Sequence, residues 1–141
     1  MPHASIRSLV AAEDGWLEPY DFTAAAAVLG PLANARMKLD GFVRRLAATE
    51  CFPEIVHVLA DVSHLPLDTM KHLMVGLDTE AFVVVARAVG LKIETVREIM
   101  NTGPWLHRLD DRTREATARA FEALDGETAR ARLDQWIHTG G

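Results

Sequence analysis

The chain has 141 residues, a length that suits one domain, here taken as residues 1–141, able to bury a single core without disulfide or metal staples. With 49% hydrophobic residues, 25% charged residues and six prolines, the composition places the chain in the globular class and outside the disordered one. A net charge of −5, from 20 acids against 15 bases, argues against a protein that holds nucleic acid mainly through its phosphates.

The opening "MPHASIRSLVAAEDGW" places no long apolar run behind a basic leader, and no stretch approaches ~18 apolar residues. No signal peptide and no membrane span are therefore predicted, and a cytoplasmic address follows. Arginine outnumbers lysine twelve to three and alanine is abundant, a usage compatible with a GC-rich bacterial source. Apolar residues recur at three- and four-residue spacing nearly throughout and never alternate for long, which predicts a compact all-α fold of about seven or eight helices.

A short helix is expected over Ala4–Ala12, followed by a loop through "EDGWLEPYD". Asp21 or Thr23 can cap the next helix, whose alanine run should stop at Gly30-Pro31. Pro31 suits the first turn of a longer helix, "PLANARMKLDGFVRRLAAT", in which Leu32, Ala35, Leu39, Phe42, Val43 and Leu46 form one apolar stripe. Four short helices follow, over Pro53–Ser63, Leu67–Gly76, Thr79–Val89 and Ile93–Thr102, each dependent on its neighbours for stability. Gly103 ends the last of these and Pro104 can open the next turn. Residues 105–138 then contain two solvated, charged helices broken at Asp125-Gly126 and anchored by Phe121, Leu124, Leu133, Trp136 and Ile137. Asp110 with Arg114, and Glu115 with Arg119, are spaced to pair along the first of them.

A shift of 26 residues lays "PEIVHVLADVSHLPLDTMKHLM" over "TEAFVVVARAVGLKIETVREIM". Leu65 then falls on Leu91, Leu67 on Ile93, Thr69 on Thr95, Met70 on Val96 and Met74 on Met100. Residues 53–102 therefore read as two tandem helical hairpins, stacked in a HEAT-like or solenoid-like way, with the flanking helices as degenerate units or caps. The alternative is chance agreement between two amphipathic hairpins of the same period.

Residues 82–101, with "ARAVGLKIETVREIM" at their centre, also fit the spacing of a helix-turn-helix DNA reader. Ala86 is the small residue, Gly90 the turn, and Val96 and Ile99 face inward. Three observations weigh against that alternative. The outward residues Lys92, Ile93, Glu94, Arg97, Glu98 and Asn101 carry two acids against two bases. Ile93 is apolar at the start of the would-be reading helix, as is its counterpart Leu67. The earlier copy has His64 at the turn and Pro66 just beyond it. Lys92, Ile93, Arg97 and Asn101 are accordingly the candidate contact residues for a protein partner, and for DNA only under the alternative reading.

The single cysteine, Cys51, excludes an internal disulfide framework and a cysteine-cluster zinc site; it reads as a small, part-buried residue. Glu54 and His57 have the Glu-x-x-His spacing of di-iron bundles, but their one echo, Asp61 and His64, lies on the same helix, so no metal and no cofactor are expected. No phosphate-binding glycine loop, nucleophile elbow or His-Glu-x-x-His occurs, and no enzyme activity is indicated. Trp16, Trp105 and Trp136 sit near predicted helix ends, where they serve either packing across junctions or an interaction surface.

"TEAFVVVARAVGLKIETVREIMNT", preceded by "LPLDTMKHLM", resembles an uncharacterised alphaproteobacterial family of HEAT-like helical repeats, DUF2336, over residues 50–102. The resemblance implies the helical-repeat fold and carries over no catalytic residue. The expectation is a non-enzymatic protein-interaction or regulatory module with a protein partner, and a homodimer because a short hairpin stack leaves an apolar end face to cover.

Overall fold

The computed structural model describes residues 14–138, all regular elements are helical, and no strand occurs among the described residues. The helix expected over Ala4–Ala12 lies outside them. Residues 14–17 are helical where Gly15 and the surrounding acids point to a loop; Leu17, 7% exposed, joins the core and fixes that turn.

Ten helices follow, labelled here in chain order: α1 (Phe22–Ala25), α2 (Leu29–Ala33), α3 (Leu39–Ala48), α4 (Phe52–Ser63), α5 (Leu67–Leu73), α6 (Glu80–Ala88), α7 (Ile93–Met100), α8 (Trp105–Arg108), α9 (Asp111–Ala123) and α10 (Gly126–His138). Seven of them have seven or more residues; α1, α2 and α8 are single turns, which accounts for the excess over the seven or eight expected. Asp21 caps α1, accepting from the Ala24 N–H at 2.9 Å.

The expected stop at Gly30-Pro31 is not where the chain breaks. A 3-10 turn (Ala26–Val28) leads into α2, which contains both residues, and Pro31 falls in its first turn, where a missing N–H is tolerated. Asn34 ends α2 by donating its Nδ2 to the Gly30 carbonyl at 3.1 Å. Lys38 is then extended (φ −67°, ψ 154°), so the single long helix expected from Pro31 is divided in two.

Helix α4 is the centre of the molecule because it is apolar on nearly every side: Ile55, Val56, Val58 and Leu59 are fully buried. Helices α1, α3 and α5 pack on it, and α6 meets it from the other half of the chain. Helix α6 lies chiefly against α10 and α9, while α7 lies between α3 and α9. Arg87 of α6 donates to the Leu124 carbonyl at 2.8 Å and sits over the Phe121 ring, fixing the end of α9.

The turn between α4 and α5 and the turn between α6 and α7 are alike. His64 and Gly90, 26 positions apart, both take positive φ (63° and 87°), and Leu65 and Leu91 behind them are buried to 5% and 3% exposure. Histidine tolerates this left-handed conformation better than most residues, so the copy without glycine still turns. Met70 and Val96 occupy equivalent, fully buried places.

In the C-terminal helices the charged residues divide between their own helix and other elements. Asp110 caps α9, accepting from the Thr113 N–H at 2.8 Å, a bond that holds its carboxyl below the usual carboxylate range. Arg114 reaches back to the Trp105 and Leu106 carbonyls at 3.0 and 3.1 Å, with Asp111 3.7 Å away. Glu115 turns to Arg97 of α7 rather than to Arg119.

Gly103 and Gly90 separate two effects of a left-handed glycine. A Cβ at Gly103 (φ 65°) would stand 2.4 Å from Cδ1 of the buried Phe52, whereas one at Gly90 meets open space. We expect Gly103→Ala to cost about 2–4 kcal/mol from overpacking plus strain, and Gly90→Ala about 1–2 kcal/mol from strain alone. Urea denaturation of both variants checks the order; equal losses would contradict it.

His72 ties the 14–17 turn to α5: Nε2 is 2.7 Å from Asp14 Oδ1 and Nδ1 is 2.9 Å from the Asp68 carbonyl. Both partners only accept, so both ring nitrogens donate and the geometry is that of an imidazolium. Burial pulls its pKa down, but the bonds to Asp14 and to the Asp68 carbonyl prevail and raise it above the ordinary 6.5. Its stabilisation is therefore complete below that unfolded-state value and lost as pH rises through the raised folded-state one. The urea midpoint of the wild type should exceed that of His72→Gln at acidic pH, with the gap closing as pH rises above neutrality. A constant gap would show that the charge contributes nothing.

Candidate functional site

The outward face of α7 is the candidate contact surface, and four of its residues have defined roles in the fold. The backbone N–H of Lys92 donates to Asp40 Oδ1 of α3 at 2.7 Å, so a carboxylate from 52 residues away occupies the N-terminal end of α7. Ile93 is half-buried and packs against the core. The Arg97 guanidinium donates to Glu115 Oε1 at 2.9 Å, a bond that keeps Glu115 below the ordinary carboxylate range and Arg97 firmly protonated. Asn101 is exposed but returns its Nδ2–H to the Arg97 carbonyl of its own helix at 3.2 Å. The lysine ammonium is thus the most available group of the set.

The charges around these residues balance against an anion. Asp40, Glu94, Glu98 and Glu115 flank the face against Lys92, Arg97 and Arg44, and Arg44 lies 3.7 Å from Glu98. The N-terminal end of a helix attracts phosphate through its free N–H groups and dipole. In α7 a phosphate would have to displace Asp40. Glu115 and Asp40 come from other helices, so the α7 sequence itself carries no sign of them.

His57 and Cys51 have structural partners. His57 of α4 is 9% exposed and donates Nε2–H to the Phe22 carbonyl, tying α1 to the central helix, while His64 occupies the hairpin turn. Among the described residues no three His, Cys, Asp or Glu side chains converge to hold a metal. Cys51 is part-buried, with its thiol 3.3 Å from the Thr49 hydroxyl. The tryptophans divide: Trp105 is fully buried, Trp136 is half-buried against the core, and Trp16 is 39% exposed with its ring against the Arg108 guanidinium.

Two surface clefts were not legible as such in the sequence. One, about 530 Å³, runs between α6 and α9 over Val83, Val84, Ala116 and Ala120. Leu77, 59% exposed, borders it, and the buried Thr79 and Thr117 hydroxyls pair at 2.6 Å beside it. The other, about 320 Å³, lies between α2 and α3 over Phe42 and Leu46, bordered by Arg36, Arg45 and the 38% exposed Met37. The basic bias of residues 31–46 in an acidic chain is the one sequence signal that could have pointed to the second.

No helix among the described residues is long and apolar enough to cross a membrane. No curated protein and no solved structure matches the chain. Residues 3–134 match a family described as an uncharacterised protein conserved in bacteria, DUF2336, an extent well beyond the residues 50–102 that carry the resemblance noted above. Because that match covers nearly the whole chain, the chain belongs to the bacterial DUF2336 family.

Proposed function

We propose that the chain is a non-enzymatic module that binds another protein, in an assembly or regulatory role. The observation that carries this reading is the large apolar side chain left at the border of an open cleft: Leu77, 59% exposed, beside the cleft between α6 and α9. Scattered exposed apolar residues mean little, but one set beside an apolar-floored groove is the usual form of a docking site. The matching left-handed turns at His64 and Gly90 favour a HEAT-like pair of hairpins, an architecture whose extended faces commonly hold proteins. The outward face of α7, with Lys92 and its neighbours, is a separate mixed-charge surface, which suits a protein partner better than a phosphate backbone.

The reading is tested by retaining proteins from a bacterial lysate on the wild-type chain and on Leu77→Asp. Proteins held through the cleft should be depleted by roughly tenfold on the variant, since introducing a charge there removes about 1.4 kcal/mol or more of binding. Equal retention by both chains contradicts the reading. In parallel, duplex DNA at low salt should not bind; salt-dependent binding that weakens with Lys92→Glu and Arg97→Glu would establish the helix-turn-helix alternative instead.

A further inference from the structure

Residues 31–46 carry Arg36, Lys38, Arg44 and Arg45 against a single acid, Asp40, in a chain of net charge −5. Asp40 is committed to the end of α7, and Arg44 faces Glu98. Arg36, Lys38 and Arg45 have no ion-pair partner among the described residues. Arg36 and Arg45 border the open groove between α2 and α3, whose floor is Phe42 and Leu46 and whose mouth holds Met37, a side chain that adapts to varied apolar surfaces. The groove is therefore apolar inside and uncompensated cationic at its rim.

The complementary surface is on the same chain. Residues 14–21 contain three acids and no base, and Trp16 stands 39% exposed among them. Asp14 is held by His72 and Asp21 by its capping role, which leaves Glu18, exposed and two residues from Trp16, as the carboxylate of this segment without an ion-pair partner among the described residues. That indole already takes one guanidinium, Arg108, with its Cζ 5.3 Å from the ring centroid.

We propose that the groove between α2 and α3 receives the Trp16 edge of a second copy of this chain, with the indole on Met37, Phe42 and Leu46 and Glu18 facing Arg36 and Arg45. This rests on the interaction-module reading and adds one specific partner to it. A second copy is favoured over other occupants because one molecule carries both an apolar groove with unpaired arginines at its rim and a segment with an exposed indole and one unpaired carboxylate, Glu18. Reciprocal docking between two copies satisfies both pairs at once and closes the assembly. The opening, about 320 Å³, has the scale of a single large side chain rather than of a helix.

Light scattering of the full chain across a concentration series, at about 50 mM and about 500 mM salt, tests this, because exposed charge pairs are screened over that range. We expect a mass above the monomer at low salt that falls towards the monomer at high salt. The double variant Arg36→Glu with Arg45→Glu, and separately Glu18→Lys, should each weaken association by at least about tenfold. An equimolar mixture of the two should recover it, because the reversed charges again face opposite ones. These side chains are exposed, and circular dichroism of each variant confirms that it remains helical. A wild-type chain that stays monomeric at low salt, or association that survives both charge reversals, overturns the inference. Neither result touches retention of another protein through the Leu77 cleft, and failure of that retention leaves self-association standing.

Discussion

The indole of Trp105 joins the two halves of this protein. It is fully buried, packs edge-to-face on Phe82 at 4.9 Å and donates Nε1–H to the Gly76 carbonyl at 2.8 Å. Gly76 follows α5, Phe82 lies in α6, and the carbonyl of Trp105 itself accepts from Arg114 of α9. One residue, through its indole and its backbone carbonyl, thus holds together three parts of the chain that are otherwise joined by short, individually unstable helices. A buried N–H left without its acceptor costs about 1–3 kcal/mol, so the loop carbonyl at Gly76 is held in place by the same bond that satisfies the indole. Arg108, from the same short helix, donates to the neighbouring Val75 carbonyl and carries Trp16 on its outer side.

This arrangement decides what α7 can do. Once α6 and α8 are pinned around Trp105, α7 lies between α3 and α9, and both neighbours supply a carboxylate to it. Its N-terminal end and its central arginine are used within the fold. A reading helix for DNA needs those groups free, whereas a packed helix with a mixed-charge outer edge needs only solvent or a protein surface. The clefts that border α6 and α3 are among the concave, apolar-floored parts of the surface.

Local features were legible in the sequence, and long-range ones were not. Helices α4 to α7 begin and end within about three residues of the expected positions, because their periodicity, the Gly90 turn and the capping prolines are local signals. Asp21 was readable as a cap for the same reason. The break after Asn34 was misplaced because Gly30-Pro31 is the stronger punctuation by composition, while the actual stop depends on one side-chain bond and an extended Lys38. The helical turn at 14–17 depends on Leu17 reaching the core and on His72, 58 residues from its partner Asp14. The candidate contacts fared likewise: Arg97 and Lys92 were found from their helix, but Glu115 and Asp40, which engage them, have no spacing relation to α7 that a helix period could reveal.

The claim that α7 is an internally committed helix is tested most directly at the Lys92 amide. At the start of an uncapped helix this N–H has no backbone acceptor and exchanges with solvent at nearly its intrinsic rate. The Lys92 amide is expected to be protected in hydrogen exchange followed by NMR, with the protection lost in Asp40→Ala while the α7 interior remains protected. A Lys92 amide that exchanges freely in the wild type, or one indifferent to Asp40, would mean that the end of α7 is open and available to an anionic ligand.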